Sequence, residues 1–171
     1  MRKNKLGISN YGVLESVEKH IVSAKIQVLD NYITFNKDKL DLELLNSIHR
    51  FLFEDIYYEE DIRLRKIDNY DLKSINYVFE LLNKLGLQGQ NIDVHLISEI
   101  FKYLWDCQLF YDGNTRTLIA FLKLYIKYYQ LPIEYDFNKD IHSCRSIFDV
   151  ENFNKKSNMN SVNKKVLTAY N

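Results

Sequence analysis

One stretch of this 171-residue chain, Gln108-Leu-Phe-Tyr-Asp-Gly-Asn-Thr-Arg-Thr117, has residue types and a spacing that could do chemistry. Gly113 permits a tight turn, and an apolar helical pattern starts directly after it. The first N–H groups of a helix have no partners in their own helix and lie at the positive end of its dipole. Such a start binds phosphate, and Arg116 adds a forked, permanently charged donor. Asp112, just before the turn, could hold a magnesium ion against that phosphate. On composition alone a cap is the simpler explanation: Asp112 or Asn114 closes a buried helix and Arg116 is solvated.

The elements that position this loop read as helices. The chain has one proline, Pro132, and five glycines. So few breakers argue for long helices and against a strand-rich sandwich or a doubly wound sheet. Apolar residues at helical spacing predict helices over 13–28, 41–54, 72–86 and 92–107, with Gly86 stopping the third. The fifth, over 115–130, is apolar almost all round, from Leu118 to Tyr129, and only Lys123 and Lys127 leave a narrow charged strip. A soluble helix of that kind belongs at the centre of its domain. Pro132 then fixes where it ends. After Phe137 the pattern weakens, and 154–165 is rich in Asn, Lys and Ser, which predicts a loosely held tail. The expected organisation is one domain over 1–137 and an extension over 138–171, weakly ordered from about 154.

Composition narrows the function. Hydrophobic residues are 46% of the chain and charged residues 27%, and the formal net charge is zero. No overall pull toward nucleic acid or membrane follows, and no apolar run approaches the ~20 residues of a membrane span. Arg2, Lys3 and Lys5 are too few, and too poorly followed by apolar residues, for a signal peptide. Cys107 and Cys144 show no metal or disulfide spacing, so a cytoplasmic location is the expectation. His20, His49, His95 and His142 are the histidines. His20 lies on an apolar stripe and is expected in the core or at its boundary. Tyr111 sits inside the loop, where it could stack on a base or a partner.

Residues 108–117 resemble the Fic signature, His-Pro-Phe-x-Asp/Glu-Gly-Asn-Gly-Arg-x-x-Arg, with Phe110, Asp112, Gly113, Asn114 and Arg116 in register. Ile48 to Tyr57 is similar to the segment before the family's active-site flap, and Ile62-Arg63 fits the arginine after it. Lys5 to Ile8, with Leu14 and Glu18, looks like the family's opening, so the resemblance covers most of 5–135. It implies an all-α domain with a buried central helix after the active-site loop and a short β-hairpin flap, drawn here from Arg63 to Tyr70. It implies a bacterial protein that binds ATP and Mg2+ and transfers AMP to a hydroxyl of a target protein. Asp112 would hold the metal, Gly113, Asn114, Thr115 and Arg116 would cradle the phosphates, and Phe110 would anchor the loop. The implied partners are a nucleotide and a target or regulatory protein, with no nucleic acid and no membrane.

The departures fall on the reactive positions. Gln108 stands where the family has its catalytic histidine, and a neutral amide cannot act as a general base. Thr115 replaces the second glycine, and Ile119 replaces the final arginine, which weakens the grip on a terminal phosphate. No glutamate has Ser or Thr four residues before it, so the family's inhibitory motif is missing. His49 matches a scaffold position, and none of the other histidines is brought beside the loop by spacing. The expected function is therefore nucleotide binding with adenylyltransferase activity reduced or lost. The alternatives are an active nucleotidyl- or phosphotransferase, as in a toxin-like component, and a non-enzymatic helical interaction domain.

Overall fold

Asn10 opens the first helix by accepting the N–H of Val13 on its side-chain oxygen at 3.1 Å. In this computed structural model, which describes residues 3–32, 40–136 and 145–155, every further long helix but the last starts on an aspartate. Helix α1 covers Tyr11–Tyr32 and α2 covers Leu42–Phe53, where Asp41 accepts from Leu44 N. The single turn α3 covers Glu59–Ile62. Asp68 accepts from Tyr70 N and Asp71 N to start α4 (Asn69–Gly86), and Asp93 does the same for α5 (Val94–Asp106) through His95 N and Leu96 N. These oxygens satisfy N–H groups that the helix itself leaves unpaired. Helix α6 covers Asn114–Tyr128 and has no side-chain cap.

The protein is mostly helical, as the scarcity of breakers predicts. Its only sheet among the described residues is the antiparallel pair β1 (Ile133–Glu134) and β2 (Asn154–Lys155), with Ile133 opposite Lys155. Helix α6 lies at the centre, packed by α1, α2 and α5. Leu118, Ile119, Ala120, Phe121, Leu122, Leu124 and Tyr125 are all buried. Of its charged strip Lys127 stays exposed, while Lys123 turns inward and its Nζ donates to the carbonyls of Ile26 and Gln27 on α1. Phe121 meets Phe79 edge-on, and Tyr125 donates to Leu82 O, which ties α4 to the same core. Residues 145–155 bring Ile147, Phe148 and Phe153 to that core, and Ser98 on α5 donates to Phe148 O at 2.7 Å.

Several expectations need correction. The hairpin between Arg63 and Tyr70 does not form, because Asp68 already caps α4 and leaves a short strap with one antiparallel bridge, Leu64 to Phe110. Gly86 ends α4 without a left-handed turn, since the following Leu87 is right-handed. What demands glycine is the Tyr129 ring, 2.3 Å from where a Cβ would stand. His20 is exposed, and its Nδ1 faces Ser16 O at 2.7 Å. Asn154 and Lys155, the start of the expected tail, are paired in β2, while 156–171 lie outside the described residues, as do His142 and Cys144. Cys107 is a half-buried free thiol, and burial pushes its pKa up. Among the described residues no helix is long and apolar enough to cross a membrane.

Candidate functional site

Gly113 turns the chain into α6 with a φ of 72°, a conformation costly for any residue with a Cβ. A Cβ there would also stand 2.5 Å from the Phe53 ring. The turn is thus pressed against α2, and His49 explains how it is held. Thr117 Oγ1 donates to Gly113 O at 2.9 Å, so its only proton is committed and His49 Nδ1, at 2.8 Å, is the donor to it. The imidazole stacks on Phe110 at 3.7 Å with the rings 7° apart. His49 is buried scaffold, and Phe110 anchors the loop as expected.

Neither expected cap residue caps α6. Asp112 Oδ1 accepts from Gly113 N at 2.6 Å, which lies before the helix. Asn114 turns back into the loop, accepting from Phe110 N at 2.9 Å and donating to Phe110 O at 2.8 Å. The N-cap of α6 is therefore Gly113, which has no side chain to take the first N–H groups of the helix. Thr115 is buried, and its hydroxyl accepts the indole N–H of Trp105 at 2.9 Å, so it faces α5. Ile119 is core, as its replacement of an arginine predicts.

Gln108 adopts a φ of 44°, a left-handed conformation that ordinary residues avoid. Its amide is turned into the loop: Nε2 donates to Trp105 O at 2.7 Å and Oε1 accepts from Asn114 Nδ2 at 3.2 Å. The residue at the histidine position thus braces the loop between α5 and α6. From outside, the strap supports the same point. Arg65 N donates to Leu109 O at 2.9 Å and Arg65 NH1 to Gln108 O at 3.2 Å. Its guanidinium lies 5.9 Å from the centroid of the exposed Tyr111 ring. Arg63, the arginine singled out by resemblance, is exposed at the end of α3.

Arg116 is not solvated. Its guanidinium lies 5.0 Å over the Phe53 ring and donates to Glu18 on α1, with Asp112 3.8 Å away. Glu18 is 7% exposed and its second oxygen accepts the Tyr57 hydroxyl. Burial, first, and then the Glu18 carboxylate hold that phenol well above its usual range, so it stays protonated. Glu18, His49, Phe53, Tyr57, Asp61, Ile62 and Asp112 enclose a cavity of about 10 Å3, room for about one water. Nothing in the spacing of Glu18, 98 residues before Arg116, announces this pairing. Its only sequence signal is its place in the opening segment that resembles the family.

The structure thus brings Gln108, Asp112, Gly113, Asn114 and Arg116 to one loop, sets Thr115 behind it, and adds Glu18 and Tyr57. Among the described residues no cluster of His, Cys, Asp and Glu could by itself hold a metal ion.

Residues 39–126, just over half of the chain, match the model of the Fic/DOC family. Solved structures share the fold at low identity. BepC from Bartonella tribocorum, a VirB-translocated effector solved with AMPPNP bound, aligns at 15% identity over 91% of this chain and 93% of its own, with a TM-score of 0.64. The N-terminal Fic domain of a VirB-translocated Bep effector from Bartonella quintana aligns at 16% identity over 98% and 93%, also at 0.64. The Fic domain of Bep8 from Bartonella sp. 1-1C gives 19% identity over 85% and 88%, at 0.56. Among curated proteins, none matches. The family match runs from the start of α2 nearly to the end of α6 and takes in the whole loop, and the chain belongs to the Fic/DOC family.

Proposed function

We propose that this Fic protein binds a nucleotide such as ATP by its phosphates at Asp112–Arg116, and that its adenylyltransferase activity is reduced or lost. One observation carries the first half: α6 begins on Gly113 with no side-chain cap, beside Arg116. Backbone N–H groups and a guanidinium on one side make an anion seat. The AMPPNP bound to BepC is consistent with such a ligand. Asp112 suits magnesium only alongside phosphate oxygens, because Mg2+ takes one or two carboxylates together with the phosphates it bridges. The metal would draw charge from the phosphates, and the rest of the seat is this chain's own.

The second half rests on Gln108. Its amide has no group that titrates near neutral pH and is already engaged with Trp105 and Asn114. A positioned base contributes about 10²- to 10⁴-fold to rate, so a target hydroxyl here would lack that help.

A different observation favours a second reading, a non-enzymatic helical interaction domain. Glu18 already supplies Arg116 with a buried anion, and the cavity beside the pair is water-sized. In that case the carboxylate is the loop's permanent partner and no phosphate enters.

Labelled ATP separates these. The native protein, alone and in a lysate, should incorporate little or no AMP, and Gln108→His should raise incorporation. Strong labelling by the native protein would overturn the impaired reading. ATP with magnesium should raise the melting temperature of the native protein; the interaction-domain reading expects no shift.

A further inference from the structure

Behind the strap lies a cavity of about 410 Å3, lined by Lys66 and Ile67 on the strap, Asp71 and Ile75 on α4, Tyr103 on α5 and Leu109 after it. It meets the candidate loop only at its first two residues, Gln108 and Leu109, and contains none of Asp112–Arg116. Its volume falls at the small end of the ~300–1,000 Å3 typical of ligand pockets. We propose that it is a second binding site, for a small zwitterion with an apolar body, of the amino-acid type.

The charges carry the inference. Arg65 and Lys66 supply the cationic side from the strap, while Asp71 and Asp106 supply the acidic side from α4 and α5. Arg65 is engaged with Gln108 O, and Asp106 holds Arg145 through both oxygens at 2.9 and 3.0 Å. That leaves Lys66 and Asp71, and among the described residues no ion pair joins them. Two opposite charges that line one cavity without pairing are matched by a ligand carrying both, its carboxylate toward Lys66 and its ammonium toward Asp71. Ile75 and Leu109, both 2% exposed, and the half-buried Ile67 give an apolar floor for its side chain. A polyphosphate fits poorly, since Lys66 is the one cation left to pair with it and Asp71 would face its charge.

The test uses the full chain and two probes, L-leucine and L-phenylalanine, titrated by calorimetry or NMR. At least one should bind saturably with a Kd of about 1 mM or tighter. Leucinamide, which lacks the carboxylate, and isocaproate, which lacks the ammonium, should bind at least about tenfold more weakly than leucine. Lys66→Gln and Asp71→Asn should each weaken binding about tenfold, with an unchanged circular dichroism spectrum showing that each variant is folded. Arg116→Ala should leave this binding intact, which separates its fate from that of the nucleotide site. The proposal is overturned if neither amino acid binds saturably, if binding survives both substitutions, or if the one-charge analogues bind equally well.

Discussion

Replacing Glu18 with Gln asks whether the carboxylate on Arg116 competes with phosphate. The amide keeps the shape and can still accept from Tyr57, but it removes the charge that Arg116 contacts. Losing one partner of a buried ion pair typically costs about 3–5 kcal/mol. Here the Arg116 side chain is 18% exposed and Asp112 stands 3.8 Å away to take up part of the charge. A loss nearer about 1–3 kcal/mol is therefore expected in urea unfolding. The freed guanidinium gains a charge-assisted hydrogen bond to phosphate, worth about 1.5–3 kcal/mol, or about 10- to 150-fold in affinity. Titration of ATP–Mg2+ by calorimetry should thus show tighter binding by a less stable protein. Equal or weaker binding by a folded Glu18→Gln protein would refute competition and would mean that Glu18 only aims the arginine.

Gly113→Ala should destabilise the protein by more than about 2 kcal/mol in urea, because a left-handed alanine is strained and its Cβ meets Phe53 and His49. Alkali should also weaken the fold. Burial raises the phenols of Tyr57 and Tyr125 well above their usual range and pushes Tyr129 up to about 12. The unfolded chain releases these protons near pH ~10 while the folded chain retains them, so their contribution is complete below about pH 10 and is lost as pH rises above it. Melting curves between about pH 8 and about pH 11 should show that fall, and Tyr129→Phe should make it less steep. Trp105→Phe removes the donor to Thr115 and should cost about 1 kcal/mol.

Much of the fold is legible because it rests on local patterns. The all-round apolar surface of α6 could only be buried, and it is. Ends were harder: Asn10 and Asp68 start α1 and α4 earlier than the apolar rhythm does, since a cap belongs to a helix before its first buried residue. Helix α3, with Glu59, Glu60 and Asp61, is too short and too acidic to show a period. At the site, the types and order of Asp112 to Arg116 were readable. The turning of Gln108 and Asn114 into the loop was not, because it depends on a left-handed backbone and on Trp105. Glu18 on Arg116 is a contact between distant segments, which only the packing of α1 against α6 creates.

The central claim is that Asp112 to Arg116 seats a phosphate. Calorimetric titration of ATP–Mg2+ into the native protein, with Arg116→Ala beside it, tests this most directly. Saturable one-to-one binding by the native protein that the substitution weakens at least about tenfold is the predicted result. No binding by the native protein, or equal binding by a folded Arg116→Ala protein, would contradict it.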